Sequence, residues 1–186
     1  MIKKLNLGCG YFKKEGYLNV DITEQANPDI IHDLDKFPYP FKNDYFNKIE
    51  ADHVLEHLND SFKVMEELNR ILKPQGTLII RVPHFSRAMA HPQHRRGFDV
   101  TFPNYFDEHF IGGYTGIKFI CDSVRLRWFS QKYLMKKILP PILYYLLSGL
   151  GKIIDFAANL SPLFCSRIWC YWVGGFYEIE FIFQKP

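Results

Sequence analysis

Apolar and polar residues alternate from Ile2 to Leu7, and the alternation stops at Gly8-Cys9-Gly10. A period of two marks a half-buried strand and paired glycines mark a tight turn, so the opening predicts a strand that ends in a glycine turn. Tyr17–Ile22 is a second short apolar run with an acid, Asp21, at its end, and Asp29–Leu34 is a third, behind the breaker Asn27-Pro28. Prolines 38 and 40 keep Phe37–Phe41 out of any helix interior and make it loop. Phe46–Ala51 predicts a fourth strand that runs into Asp52–Leu58. Phe62, Met65, Leu68 and Leu72, with Val64 and Ile71, recur at helical spacing behind the capping candidates Asn59, Asp60 and Ser61. Lys73-Pro74-Gln75-Gly76 stops that helix, Thr77–Val82 is a strongly apolar strand ended by Pro83, Tyr114–Phe129 is strand-bearing, and Tyr177–Phe183 is a final strand.

Short strands interleaved with helical or loop connections predict an α/β fold with an open, mostly parallel sheet, where ligands lie at the carboxyl ends of the strands. A length of 186 residues with 47% apolar composition suits one domain, 1–186, with its own core. The net charge of +3 is small and the basic residues are scattered, so no face calls for nucleic acid. Cys9, Cys121, Cys165 and Cys170 complete no zinc-ligand pattern, and the last two are expected to pack as small apolar residues. With no long apolar stretch after Met-Ile-Lys-Lys, the expectation is a reduced, cytoplasmic chain.

One segment complicates this picture. Residues 138–151 carry no charge and are bracketed by Lys136-Lys137 and Lys152; Pro140-Pro141 interrupts them, and they fall short of the roughly 20 apolar residues of a spanning helix. The default reading is the core of a helical insertion, with a membrane interface or the lining of a lipid-linked acceptor pocket as alternatives. Tyr144, Tyr145, Trp169, Tyr171 and Trp172 are of the type enriched at interfaces, so peripheral membrane contact is retained as a reading.

Gly8 and Gly10 allow close backbone approach of a ligand, and Asp21 at the second strand end can accept hydrogen bonds from a ribose diol. The nicotinamide fingerprint fails, because its third glycine position is Lys13. On these residues alone, a plain sharp turn and a solvated strand-end acid explain the pattern equally well. After the fifth strand, His84, His91 and His94 stand where an acceptor should lie and are candidate catalytic bases. Their spacing matches no metal-binding pattern, so no metal is expected.

The combination of blocks is more specific. Leu5-Asn6-Leu7-Gly8-Cys9-Gly10, Gly16-Tyr17-Leu18-Asn19-Val20-Asp21, Asp33-Leu34 with Phe37-Pro38-Tyr39-Pro40-Phe41, His53-Val54-Leu55-Glu56-His57-Leu58, and the run from Leu68 to Leu78 resemble, in order, the motifs of class I S-adenosylmethionine-dependent methyltransferases. The resemblance extends through Val82 and implies a Rossmann-like sheet, mostly parallel with an antiparallel last strand. Residues 1–82 would be the cofactor-binding half, and 83–186 the acceptor-side half with a helical insertion about 131–172. It further implies S-adenosylmethionine as cofactor and S-adenosylhomocysteine as product. Leu7, Gly8, Cys9 and Gly10 would meet the methionine portion, Asp21 the ribose, Asp33 and Leu34 the adenine, and Asp52 and His53 would close the methionine end. His57 is expected to tie a loop rather than to catalyse. The acceptor would be a small molecule, a glycan or a lipid-linked compound; the competing expectation is a non-catalytic scaffold or membrane-associated binding protein. One departure stands out: Tyr11–Asn19 is too short for a crossover helix, so the first connection must be a loop or a single turn.

Overall fold

The computed structural model describes residues 3–186, so Ile2, where the predicted first strand begins, lies outside the described residues. Seven strands form one sheet: β1 (Lys4–Leu7), β2 (Leu18–Asp21), β3 (Ile30–Ile31), β4 (Phe46–Asp52), β5 (Leu72–Pro83), β6 (Ile120–Arg127) and β7 (Glu178–Gln184), in the order β3-β2-β1-β4-β5-β7-β6. The first five run parallel, and β7 inserts antiparallel to both β5 and β6. The helices are α1 (Ser61–Ile71), α2 (Phe85–Ala88), α3 (Lys132–Ile138), α4 (Pro141–Ala158) and α5 (Pro162–Arg167). The first connection is a turn without helix, as its length demands.

The alternation seen in the sequence has a structural meaning. Leu5, Leu7, Val20, Ile49, Ala51, Leu78, Ile80, Val82, Ile179, Phe181 and Phe183 are all fully buried, and they join Val64, Met65, Leu68 and Ile71 of α1 in one core. Their neighbours along the strands, Asn6, Asn19, Glu50, Asp52, Arg81 and Glu180, share the opposite face. Cross-strand pairing of Asp52 with Arg81 and of Arg81 with Glu180 puts unlike charges side by side. Lys14 donates to Glu50 at 2.6 Å and to Asp52 at 2.7 Å, and Arg81 bridges Asp52 at 2.6 Å and Glu180 at 2.8 Å. Burial alone would raise the Glu50 carboxyl, but hydrogen bonds from Lys14, Lys48 and Tyr17 pull it down to about 2. A parallel sheet normally has both faces covered by helices; here a ladder of ion pairs replaces one layer.

The Asp60 side chain caps α1, accepting from the backbone N–H groups of Phe62 at 3.0 Å and Lys63 at 3.1 Å. On the same helix Arg70 pairs with Glu67, and its guanidinium donates to the Tyr39 and Phe41 carbonyls while Glu67 accepts from the Tyr39 N–H, which fixes the proline-rich loop against the core.

The C-terminal segment departs from the default expectation of core. Only Gly151, Asp155 and Ala158 of α4 are buried, whereas Ile142, Leu146, Ile153 and Phe156 are each at least 66% exposed. Beside the packing of Ile154 and Ala158 on the core, polar contacts hold the helix: Asp155 accepts from the Trp128 N–H at 2.7 Å, and Asn159 exchanges two hydrogen bonds with the backbone of Leu126. Pro140-Pro141 does interrupt the segment: α3 ends at Ile138 and Pro141 begins α4, where its missing N–H has no partner to lose. By length and composition Pro141–Ala158 is long and apolar enough to cross a membrane. Cys165 and Cys170 are buried among apolar residues, and the four cysteines are free thiols.

Removal of the cap by Asp60→Ala is expected to lower stability by about 1 kcal/mol in urea denaturation; an unchanged midpoint would show that the first turn of α1 needs no cap.

Candidate cofactor and acceptor site

β1 ends in two left-handed residues, Gly8 at φ 63° and Gly10 at φ 46°. Glycine is required at position 8 twice over, since a Cβ there would also collide with the Val54 side chain. The turn is locked to the neighbouring strand: the Cys9 N–H donates to the Val20 carbonyl at 3.0 Å, and the Gly10 N–H to Asp21 Oδ2 at 2.7 Å. Asp21 Oδ1 accepts from the Thr23 N–H at 2.8 Å. Two backbone donors thus hold the carboxylate at the strand end, and each oxygen keeps a lone pair for a ligand.

Gly8, Asp21, Asp33, Leu34, His53, Val54, His57 and His94 line a cleft of about 680 Å³, within the size range of small-molecule sites. Beyond Gly8 and His53 lies a second cleft of about 350 Å³, lined by Cys9, Gly10, Phe12, Asp52, Gln131, Tyr133 and Leu134. His53 belongs to both. Its backbone is left-handed, at φ 55°, held by an N–H bond to the Arg81 carbonyl at 2.8 Å. Its ring lies between two acids, with Nε2 2.8 Å from Glu178 and Nδ1 3.2 Å from Glu56. Burial would lower this imidazole, but the two carboxylates raise it to about 9, so at neutral pH it is a cation with its Nε2–H committed to Glu178. Asp52 is likewise committed, to Lys14 and Arg81, which hold its carboxyl below the usual range against the opposing effect of burial.

Of the residues singled out in the sequence, Gly8, Asp21, Asp33, Leu34 and His53 meet on the larger cleft, and Gly8, Cys9, Gly10, Asp52 and His53 on the smaller. Leu7 does not join them: it is fully buried in the core and lines neither cleft. The three candidate bases are not one cluster. His84 is fully buried, with Nδ1 2.7 Å from Ser86 Oγ and Nε2 2.8 Å from Ser166 Oγ, so it reaches no acceptor. Ser166 in turn donates to Asp99, which is clamped by Arg167; His84 is a structural link between α5 and the end of β5. His91 accepts from the Gln93 N–H and stacks on His94. Of the three, His94 alone lines the larger cleft. His57 ties loops, its Nδ1 donating to the Gln93 carbonyl at 3.3 Å. Sequence reasoning passed over Gln131 and Tyr133, which α3 brings onto the smaller cleft from more than 120 positions beyond Gly10; nothing local marks them. Glu56 lies within the block His53–Leu58, and its complete burial shows only in the fold.

Burial depresses the His84 imidazole to about 4, below its ordinary value near 6.5 in an unfolded chain. A depressed folded value means that its contribution to stability is complete above about pH 6.5 and is lost as the pH falls toward 4. Imidazole NMR is expected to show His84 neutral down to pH 5; half-protonation near pH 6.5 would show that it is exposed to water.

Residues 5–80 match the model of the family described as methyltransferase domain. No curated protein matches the chain. Among solved structures, an S-adenosylmethionine-dependent methyltransferase from Mesorhizobium loti is similar at 12% identity and a TM-score of 0.58, covering 98% of this chain and 90% of its own. One from Archaeoglobus fulgidus is similar at 17% and 0.56, covering 98% and 85%. Phosphoethanolamine N-methyltransferase 2 from Haemonchus contortus, solved with S-adenosylmethionine, is similar at 17% and 0.54, covering 98% of this chain and 48% of its own. Residues 5–80 thus match a methyltransferase-domain model, and nearly the whole chain shares its fold with these structures.

Proposed function

We propose that the chain binds S-adenosylmethionine across Gly8, Asp21 and Asp33 and transfers its methyl group to an acceptor held in the cleft between Gly10 and Tyr133. The observation that carries this reading is that Gly8 and His53 line both clefts, which sets room for a nucleoside beside room for a second reactant. The residues fit the cofactor: no Cβ blocks the approach over Gly8, Asp21 offers two oriented oxygens to a ribose diol, and Asp33 and Leu34 offer an acceptor and an apolar wall to adenine. When bound, the cofactor supplies a methyl group on a sulfonium. The chain aligns donor and acceptor and excludes water.

The smaller cleft holds no group free to take a proton. His53 is a cation, Asp52 is paired with two cations, and burial raises the Tyr133 hydroxyl so that it stays a donor. This supports an acceptor whose nucleophile is already available, such as an amine or an ionised oxygen, over an alcohol that needs a base. Asp21→Ala is expected to weaken S-adenosylmethionine by about 10- to 100-fold in calorimetric titration, the cost of losing hydrogen bonds to a charged acceptor. Unchanged affinity would remove Asp21 from the site, and failure of the native protein to bind the cofactor would favour the scaffold reading.

A second reading concerns where the reaction takes place. Ile142, Leu146, Ile153 and Phe156 on α4 and Tyr171 and Trp172 beyond α5 are exposed, and Lys136, Lys137 and Lys152 flank them. Anchored on one side by Asp155 and Asn159, α4 is suited to lie in an interface with its apolar face toward lipid and the lysines at headgroups, beside the α3 residues of the acceptor cleft. This supports a membrane-borne acceptor. Vesicles containing phosphatidylserine are expected to sediment the native protein but not an Ile142→Gln, Leu146→Gln, Ile153→Gln variant. Absence of native sedimentation, or a dimer in ultracentrifugation that the same variant dissolves, would overturn it.

A further inference from the structure

Glu56 flanks the His53 ring, but that contact leaves its carboxylate unsatisfied. It is completely buried, and among the described residues neither of its carboxylate oxygens has a hydrogen-bond partner. Its nearest cations are imidazoles: His53 Nδ1 at 3.2 Å, without hydrogen-bond alignment, and His94 Nε2 at 3.9 Å. A carboxylate taken out of water normally has a full set of donors or a metal.

The imidazoles beside it are prepared for a metal. His57 Nδ1 faces the Gln93 carbonyl at 3.3 Å, and His94 Nδ1 faces the Ala88 carbonyl at 2.7 Å. A carbonyl only accepts, so each neutral ring carries its proton on Nδ1 and keeps an Nε2 lone pair, which in His94 faces Glu56. Backbone carbonyls fix metal-ligating histidines in this way. One ligand atom from each of Glu56, His57 and His94 lies within 4.8 Å of the others. Tetrahedral ligands about 2.0–2.1 Å from a zinc ion lie roughly 3.3 Å apart, so side-chain rotations of about 1 Å close the set. The backbone is already pinned: the Arg95 N–H donates to the Glu56 carbonyl at 2.9 Å, and the Arg96 guanidinium to the Asn59 carbonyl at 2.6 Å. His91 stays outside, since its Nδ1 accepts from the Gln93 N–H.

We propose that Glu56, His57 and His94 bind a divalent transition-metal ion of the zinc type, clasping the loop around Pro92–Arg96 to the segment after β4 and leaving coordination positions open toward the larger cleft. Two imidazoles and one carboxylate suit Zn²⁺, Co²⁺ or Fe²⁺ and not Mg²⁺ or Ca²⁺, which prefer all-oxygen sets. The sequence pattern concealed the site because its ligands come from two loops nearly 40 positions apart. The proposal does not rest on the methyl-transfer reading.

The test uses the full chain, stripped of metal with a chelator and titrated with Co²⁺ while visible absorption and thermal unfolding are recorded. One equivalent is expected to bind, with the ligand-field bands of a four- or five-coordinate ion and a raised Tm. Glu56→Gln and His94→Ala are each expected to weaken binding by more than about 100-fold, beyond what outer-sphere changes cause. His109→Ala, which removes an exposed imidazole, is expected to leave it unchanged. Thermal unfolding of each stripped variant verifies that it is folded. If the native protein takes up no Co²⁺, or if folded Glu56→Gln and His94→Ala bind it as the native chain does, the site does not exist.

Discussion

The sheet buries only one of its faces in a continuous apolar core, and the rest of the molecule is arranged around that constraint. Ten residues from Gly8 to Tyr17 join β1 to β2 without a helix, so this connection lays no apolar layer over the second face. Strand residues there have to be compatible with water and with each other, and Asn6, Asn19, Glu50, Asp52, Arg81 and Glu180 meet that demand by pairing across the strands. Such pairs do little in open solvent; half-buried and networked, as here, they also fix register.

The site inherits this arrangement. The carboxyl ends of β1, β2 and β4 bring Gly8, Asp21 and His53 to one edge, where a parallel sheet places its ligands. His53 lines both clefts, and its imidazole is raised by Glu178 of β7 and by Glu56. The antiparallel insertion of β7 beside β5 is what delivers Glu178 to a residue 125 positions earlier in the chain.

Much of this was legible in the sequence because it depends on local periodicity. The alternation in β1, the helical spacing of Val64, Met65, Leu68 and Ile71, and the break at Pro74-Gln75-Gly76 are short-range signals, and the glycine turn with Asp21 follows from them. The position of Leu7 shows the limit: a motif includes the residue, yet strand parity sends its side chain into the core. His84 was misread for a similar reason, since a histidine after a strand end looks available until α5, eighty residues later, brings Ser166 onto it. The apolar run at 138–151 was read as core because composition records how apolar a segment is, and not whether anything lies opposite it.

Lys14 belongs to the same turn that faces the cofactor, and its ammonium reaches beneath the sheet edge to Glu50 and Asp52. The glycine loop is therefore moored by charge, where a longer connection would have moored it by apolar packing. Apolar packing responds weakly to dissolved salt, whereas Coulombic moorings loosen as the Debye length shrinks to about 8 Å near physiological ionic strength and below that at higher salt. The hold on the glycine loop is thereby coupled to the ionic composition of the surrounding solution.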